Sequence, residues 1–94
     1  METLATTITA HVIGRVQGVS FRAWTKRQAD DLGLSGWVAN DPDGSVRAVF
    51  TGSERAVSEI ADLLREGPSG AEVHNVVIVP GEPEGPPTGF EIRG

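Results

Sequence analysis

The chain contains no cysteine, so disulfides and thiolate metal centres play no part in it, and a reducing compartment suits it. It has no apolar run approaching the roughly 20 residues that cross a bilayer. The longest is VVIV at 76–79. The opening METLATTITA lacks a basic segment followed by a long apolar stretch, so no secretory leader is expected. A soluble cytoplasmic protein with no membrane partner is the expectation. Basic residues are also scarce, at 8 against 13 acids, for a net charge of −5, and there is no tyrosine. A general nucleic-acid binder needs a broad basic face, and an RNA-reading sheet needs aromatics as well. No nucleic-acid partner is therefore expected.

The 94 residues that are there suffice for one domain with a core and not for two, so a single domain spanning 1–94 is expected. Charge is distributed unevenly. Residues 1–29 carry four bases against one acid, +3, whereas residues 30–94 carry four bases against twelve acids, −8. The one local excess of positive charge surrounds GRVQGVSFR at 14–22, where a small anion could be drawn.

Turn signals divide the chain. TTITAHVI at 6–13 alternates, with Ile8, Ala10 and Val12 on one face, and reads as a strand. Residues 21–32 read as a helix carrying Phe21, Trp24, Ala29 and Leu32, stopped by Gly33. LSGWVAN at 34–40 is a second strand and NDPDG at 40–44 a tight turn. SVRAVFT at 45–51 is a third strand, alternating through Val46, Ala48 and Phe50. Ser53 caps a second helix with a Val57, Ile60, Ala61, Leu64 stripe, ended by Gly67 and Pro68. AEVHNVVIV at 71–79 is a fourth strand, PGEPEGPPTG at 80–89 a loop, and GFEIR at 89–93 a short last strand.

The order β-α-β-β-α-β resembles the ferredoxin-like folds: an α+β sandwich whose four- to five-stranded antiparallel sheet carries both helices on one face. The first two strands then run the same way with the third between them. The chain after Ile13 and the chain near Asn40 meet at one edge of the sheet, two strand spacings or about 10 Å apart.

The two helices treat their dipoles differently. The second has Glu54 at its start and Arg65 near its end, as the dipole favours. The first reverses the rule, with Arg22, Lys26 and Arg27 early and Asp30 and Asp31 late. Each such placement costs roughly 0.3–1 kcal/mol when exposed, so positive potential at that terminus is expected to serve something. An anion site is the simplest use. A helix N-terminus leaves N–H groups unpaired, and Gly14 and Gly18 would let the preceding amides curl inward as a nest. Arg22 would add a permanent, bidentate clamp. A solvated surface cation is the competing reading of Arg22. Lys26 and Arg27 read as surface residues able to meet Asp30 and Asp31 at i, i+4. On local sequence alone Asn40 reads better as the asparagine that starts a turn; only its place beside the loop gives it another use.

The segment is neither a Walker A loop nor G-x-G-x-x-G. His11 and His74 are expected to face solvent on the open side of the sheet. No His/Asp/Glu cluster shows metal-ligand spacing, Asp41 and Asp43 fail as a calcium loop because Gly52 falls where its glutamate belongs, and no nucleophile triad is present. Trp24 and Trp37 read as packing residues.

GRVQGVSFR, followed by GLSGWVAN and DGSV, resembles the acylphosphatases, in which a loop-arginine signature precedes a G-W-V-x-N strand and a D-G-x-V turn. The likeness extends over most of the chain, to the terminal GFEIR; Ser20 and the proline-rich 80–88 run are its mild departures. It implies hydrolysis of the carboxyl–phosphate bond of small-molecule acyl phosphates, with inorganic phosphate as product and no metal or cofactor. It further implies that the backbone amides of Arg15, Val16, Gln17, Gly18, Val19 and Ser20 hold the phosphoryl oxygens, that Arg22 binds the phosphate, and that Asn40 positions the attacking water. A monomer is expected, and a rate nearly flat in pH around neutrality, since neither Arg22 nor Asn40 titrates there. The alternative is a non-catalytic module of the same fold that binds phosphate or a phosphorylated metabolite.

Overall fold

A computed structural model describes residues 5–85 and 88–94; Pro86 and Pro87 of the proline-rich run lie outside the described residues. Seven elements follow in order: β1 (Thr6–Arg15), α1 (Phe21–Asp31), β2 (Ser35–Asn40), β3 (Val46–Gly52), α2 (Glu54–Glu66), β4 (Glu72–Pro80) and β5 (Phe90–Arg93). The strands form one sheet in the order β4-β1-β3-β2-β5.

Alternation selects the faces. Ala10 and Val12 of β1, Val38 of β2, and Val46, Ala48 and Phe50 of β3 are all buried on the helix side. Phe21 and Ala29 of α1 and Val57, Ile60 and Leu64 of α2 close over them, so both helices lie on one face as the periodicity requires. Phe50 stacks on Phe90 with ring centroids 5.3 Å apart, fastening β5 into the same core. Burial of each such large side chain contributes about 1.5–3 kcal/mol. Ser53 caps α2 by accepting from the Ala56 amide at 3.1 Å.

The wholly antiparallel sheet expected from the sequence needs one correction: β5 pairs with β2 in parallel, so the sheet is mixed. The reason is directional. β4 pairs antiparallel with β1, and therefore runs opposite to both β1 and β2. A strand that returns from β4 must run with β2, and β2 has the free edge where it docks. The connection crosses the sheet's width, four strand spacings or about 19 Å. The Gly81 amide extends the ladder to the Thr7 carbonyl at 3.1 Å, and a Cβ on Gly85 would lie 3.1 Å from Trp37 Cδ1 on the open face.

Gly14 also differs from its expected role. It lies inside β1 at a register shift beside β4, where a Cβ would overlap the Glu72 carbonyl oxygen. It serves close strand approach, not the curl of the loop. The same polarity places the ends of β1, β2 and β5 together at one edge, and the site lies there.

Candidate active site

The loop from Val16 to Ser20 joins β1 to α1. Val16 is buried at its start and Phe21 at its end, and Val19 packs against the core, so the segment is anchored by its apolar side chains. Between the anchors Gly18 takes φ 76° with open space around it, a left-handed conformation that a glycine adopts without strain. Ser20, the N-cap of α1, is also left-handed (φ 61°, ψ 28°), and its side chain caps nothing. A non-glycine residue held there costs of order 1–3 kcal/mol. Its carbonyl still accepts from the Trp24 amide at 3.0 Å, so the helix begins normally while its first N–H groups have no side-chain cap.

Arg22 stands half-buried in the first turn of α1, with its Nη1 donating to the Arg93 carbonyl of β5 at 3.3 Å. α1 has no acidic residue in its first turn and no basic residue in its last, so nothing on the helix offsets this cation. Lys26 is engaged elsewhere, donating to Asp30 at 2.9 Å and to the Phe90 carbonyl at 3.0 Å. Among the described residues Arg27 and Asp31 form no ion pair, although Lys26 and Asp30 pair at the same i, i+4 spacing. Asn40, the last residue of β2, is half-buried, and among the described residues its carboxamide makes no hydrogen bond within the protein.

These elements converge. Val16, Gly18 and Ser20 of the loop, Arg22 of α1, Asn40 of β2 and Ile92 of β5 line one cleft of about 430 Å³. That volume suits a small ligand. The other expected members of the cradle, Arg15, Gln17 and Val19, are not among the residues that line the cleft: Arg15 closes β1 opposite Glu72, Val19 packs inward, and Gln17 sends its side chain to the β2–β3 turn. The loop, Arg22 and Asn40 named from the sequence come together at this cleft, whereas Ile92 and the Arg93 carbonyl were not anticipated. The available signal was GFEIR itself; its place beside Asn40 follows only from the parallel pairing.

The expectation that no His/Asp/Glu cluster exists is overturned. Donor atoms of His11, Asp41 and Asp43 lie within 4.8 Å of one another, because β1 and the β2–β3 turn meet at this edge. Each is engaged by the protein: His11 Nε2 with the Ser45 hydroxyl at 2.6 Å, Asp41 with Arg47 at 3.0 Å, and Asp43 with the Ser45 hydroxyl at 2.5 Å. The Ser45 hydroxyl, then its amide, hold the Asp43 carboxyl below its ordinary value. His11 lies on the open side of the sheet as expected but is half-buried by its contact with Ser45, whereas His74 is exposed.

Comparison with known proteins places this geometry. The acylphosphatase family model matches residues 8–92. An acylphosphatase of Rhizobium etli is 44% identical over 87 residues, 93% of each chain, and one of Mesorhizobium japonicum is 51% identical over 71 residues, 76% of each. The solved structure of an acylphosphatase from Coxiella burnetii superposes with a TM-score of 0.88 at 36% identity, covering 95% of this chain and 93% of that one. No helix among the described residues is long and apolar enough to cross a membrane. With a family model spanning nearly the whole sequence and the same sheet and helices in a solved relative, the chain belongs to the acylphosphatase family.

Proposed function

We propose that the cleft hydrolyses small-molecule acyl phosphates to a carboxylate and inorganic phosphate. The observation that carries this reading is the convergence of the β1–α1 loop, Arg22 and Asn40, from three separate elements, on one cleft. The amides of residues 15–20 and the Arg22 guanidinium bind the phosphoryl oxygens. Asn40, whose carboxamide makes no hydrogen bond among the described residues, holds a water on the far side of phosphorus from the acyl oxygen.

The water oxygen forms a bond to phosphorus as the bond from phosphorus to the acyl oxygen breaks. The electron pair leaves on the carboxylate, and the water protons end on the inorganic phosphate. A carboxylate is a weakly basic leaving group, so the step needs positioning and charge stabilisation more than a strong base. A site built from amides, one guanidinium and one carboxamide supplies both, and the reading assigns no step to a metal.

The test is turnover of benzoyl phosphate in the presence of a chelator, for the native chain and for Arg22→Ala and Asn40→Ala. Each substitution is expected to lower turnover by about 10²–10³-fold, as loss of one well-aimed donor does elsewhere. Activity that survives both substitutions removes the site assignment. Phosphate binding with no turnover by the native chain leaves a non-catalytic module of the same fold.

A further inference from the structure

The function just proposed uses Gln17 only for its backbone, yet its side chain is the most deliberately placed in the loop. Its Nε2 donates to two main-chain carbonyls, that of Asp41 at 2.8 Å and that of Ser45 at 2.9 Å. Both acceptors are carbonyl oxygens and neither can donate, so the amide nitrogen must be the end that faces them. Asp41 directly follows Asn40, and Ser45 directly precedes β3. The same two residues close the hairpin, with the Asp41 amide donating to the Ser45 carbonyl at 2.8 Å. Gln17 is thus fastened to the rigid base of the turn and not to its tip.

The rest of the loop lacks such a tie. Gly18 and Ser20 are left-handed, and among the described residues no other side-chain hydrogen bond joins residues 16–20 to the β2–β3 turn. The loop is to carry the phosphoryl group and Asn40 the water. Their separation is a distance between two elements that do not pair directly, since β3 lies between β1 and β2. We propose that Gln17 is a positioning residue, whose carboxamide fixes the phosphate-binding loop at the spacing from Asn40 that in-line attack requires. The inference rests on the functional reading above. It assigns Gln17 no contact with the reacting atoms.

Gln17→Met keeps the length and shape of the side chain and removes both donors. The experiment measures kcat for benzoyl phosphate and the dissociation constant of inorganic phosphate, with Gln17→Met placed in the native chain and in the Asn40→Ala chain. Loss of alignment is expected to lower kcat about ten- to hundredfold in the native background. Phosphate affinity should change by less than about threefold, because the amides and Arg22 remain. In the Asn40→Ala background, where no water is held, the same substitution should cost almost nothing further.

An equal loss in both backgrounds, a loss of phosphate affinity as large as that of kcat, or an unchanged kcat each overturns the proposal. Should Gln17→Met fail to fold, Gln17→Asn, which keeps the amide but falls one methylene short, takes its place with the same criteria. If neither folds, Gln17 is a stability element and the proposal is wrong. Failure of the functional reading looks different: there Asn40→Ala itself retains activity. Failure of the Gln17 proposal alone leaves Asn40→Ala inactive and Gln17→Met active.

Discussion

Arg22→Ala should make the protein less active and more stable at once. Arg22 occupies the first turn of α1, whose N-terminus carries no acidic residue and no side-chain cap. A cation there opposes the partial positive charge of the helix end by roughly 0.3–1 kcal/mol. Among the described residues its compensation is one bond to the Arg93 carbonyl, exposed and beyond the usual N–H···O range at 3.3 Å. Alanine removes the repulsion and suits a helix at least as well. Each kcal/mol moves the midpoint of a domain this size by about 4–8 °C, so a rise in Tm of roughly 1–8 °C is expected. Turnover should meanwhile fall by about 2.7–4 kcal/mol of barrier. Thermal unfolding followed by circular dichroism, with benzoyl phosphate turnover on the same preparation, measures both. Raising the salt concentration should shrink the difference in Tm, because the repulsion is screened. A lower Tm with activity retained would refute the reasoning, since it would make the guanidinium a structural clasp between α1 and β5.

Three further predictions follow from single residues. Thr25 is wholly buried and its hydroxyl has no partner among the described residues, so Thr25→Val, nearly the same shape, should stabilise the fold by about 1 kcal/mol in denaturant titrations without touching turnover. Gly14→Ala should destabilise by at least about 1–3 kcal/mol in the same titrations, because the added methyl meets the Glu72 carbonyl and lies 2.9 Å from the His74 amide. Asp43 is held below its ordinary value of 3.8, so its contribution to stability is complete above that value and is lost as the pH falls through the lower folded-state value. Asp43→Asn should therefore be less stable than the native chain at neutral pH and converge with it in acid, as followed by Tm against pH.

Legibility in the sequence followed the strength of local constraint. Val46, Ala48 and Phe50 alternate because their face of the central strand β3 packs beneath the helices, and a one-residue slip would turn all three away from them. Helix ends were equally plain: Ser53 caps α2 as its position suggests, and Gly67 ends it at φ 70°. The loop, Arg22 and Asn40 were legible because the motif and the strand polarity agree on one edge. Nothing local, by contrast, specifies which edge β5 joins, so the parallel pairing and the entry of Ile92 into the cleft went unread. The His11–Asp41–Asp43 cluster failed for the same reason. His11 pairs across the sheet with Arg47, and its distance from the turn is set by β-ladder register, which residue spacing along the chain does not carry. Gln17 read as a loop residue presenting its backbone because both of its acceptors are carbonyls, groups that every residue has and that leave no mark in a sequence.

The features that define the site are individually unfavourable to the fold. Ser20 is held left-handed without a glycine's freedom, the N-terminus of α1 goes uncapped, and its cations stand at the positive end of the dipole. No such concession is made at α2, where cap, acid and base all stand where the helix prefers them. The contrast within one chain is informative, because both helices pack on the same sheet face and experience similar burial. A general tolerance for poor helix ends would have affected both. The departures cluster instead where an arriving dianion would reverse their sign: it would accept the uncapped N–H groups, neutralise Arg22 and complement the dipole. The cost is therefore confined to the N-terminal end of α1 and the loop before it, and the core formed by β1, β2, β3 and both helices offsets it.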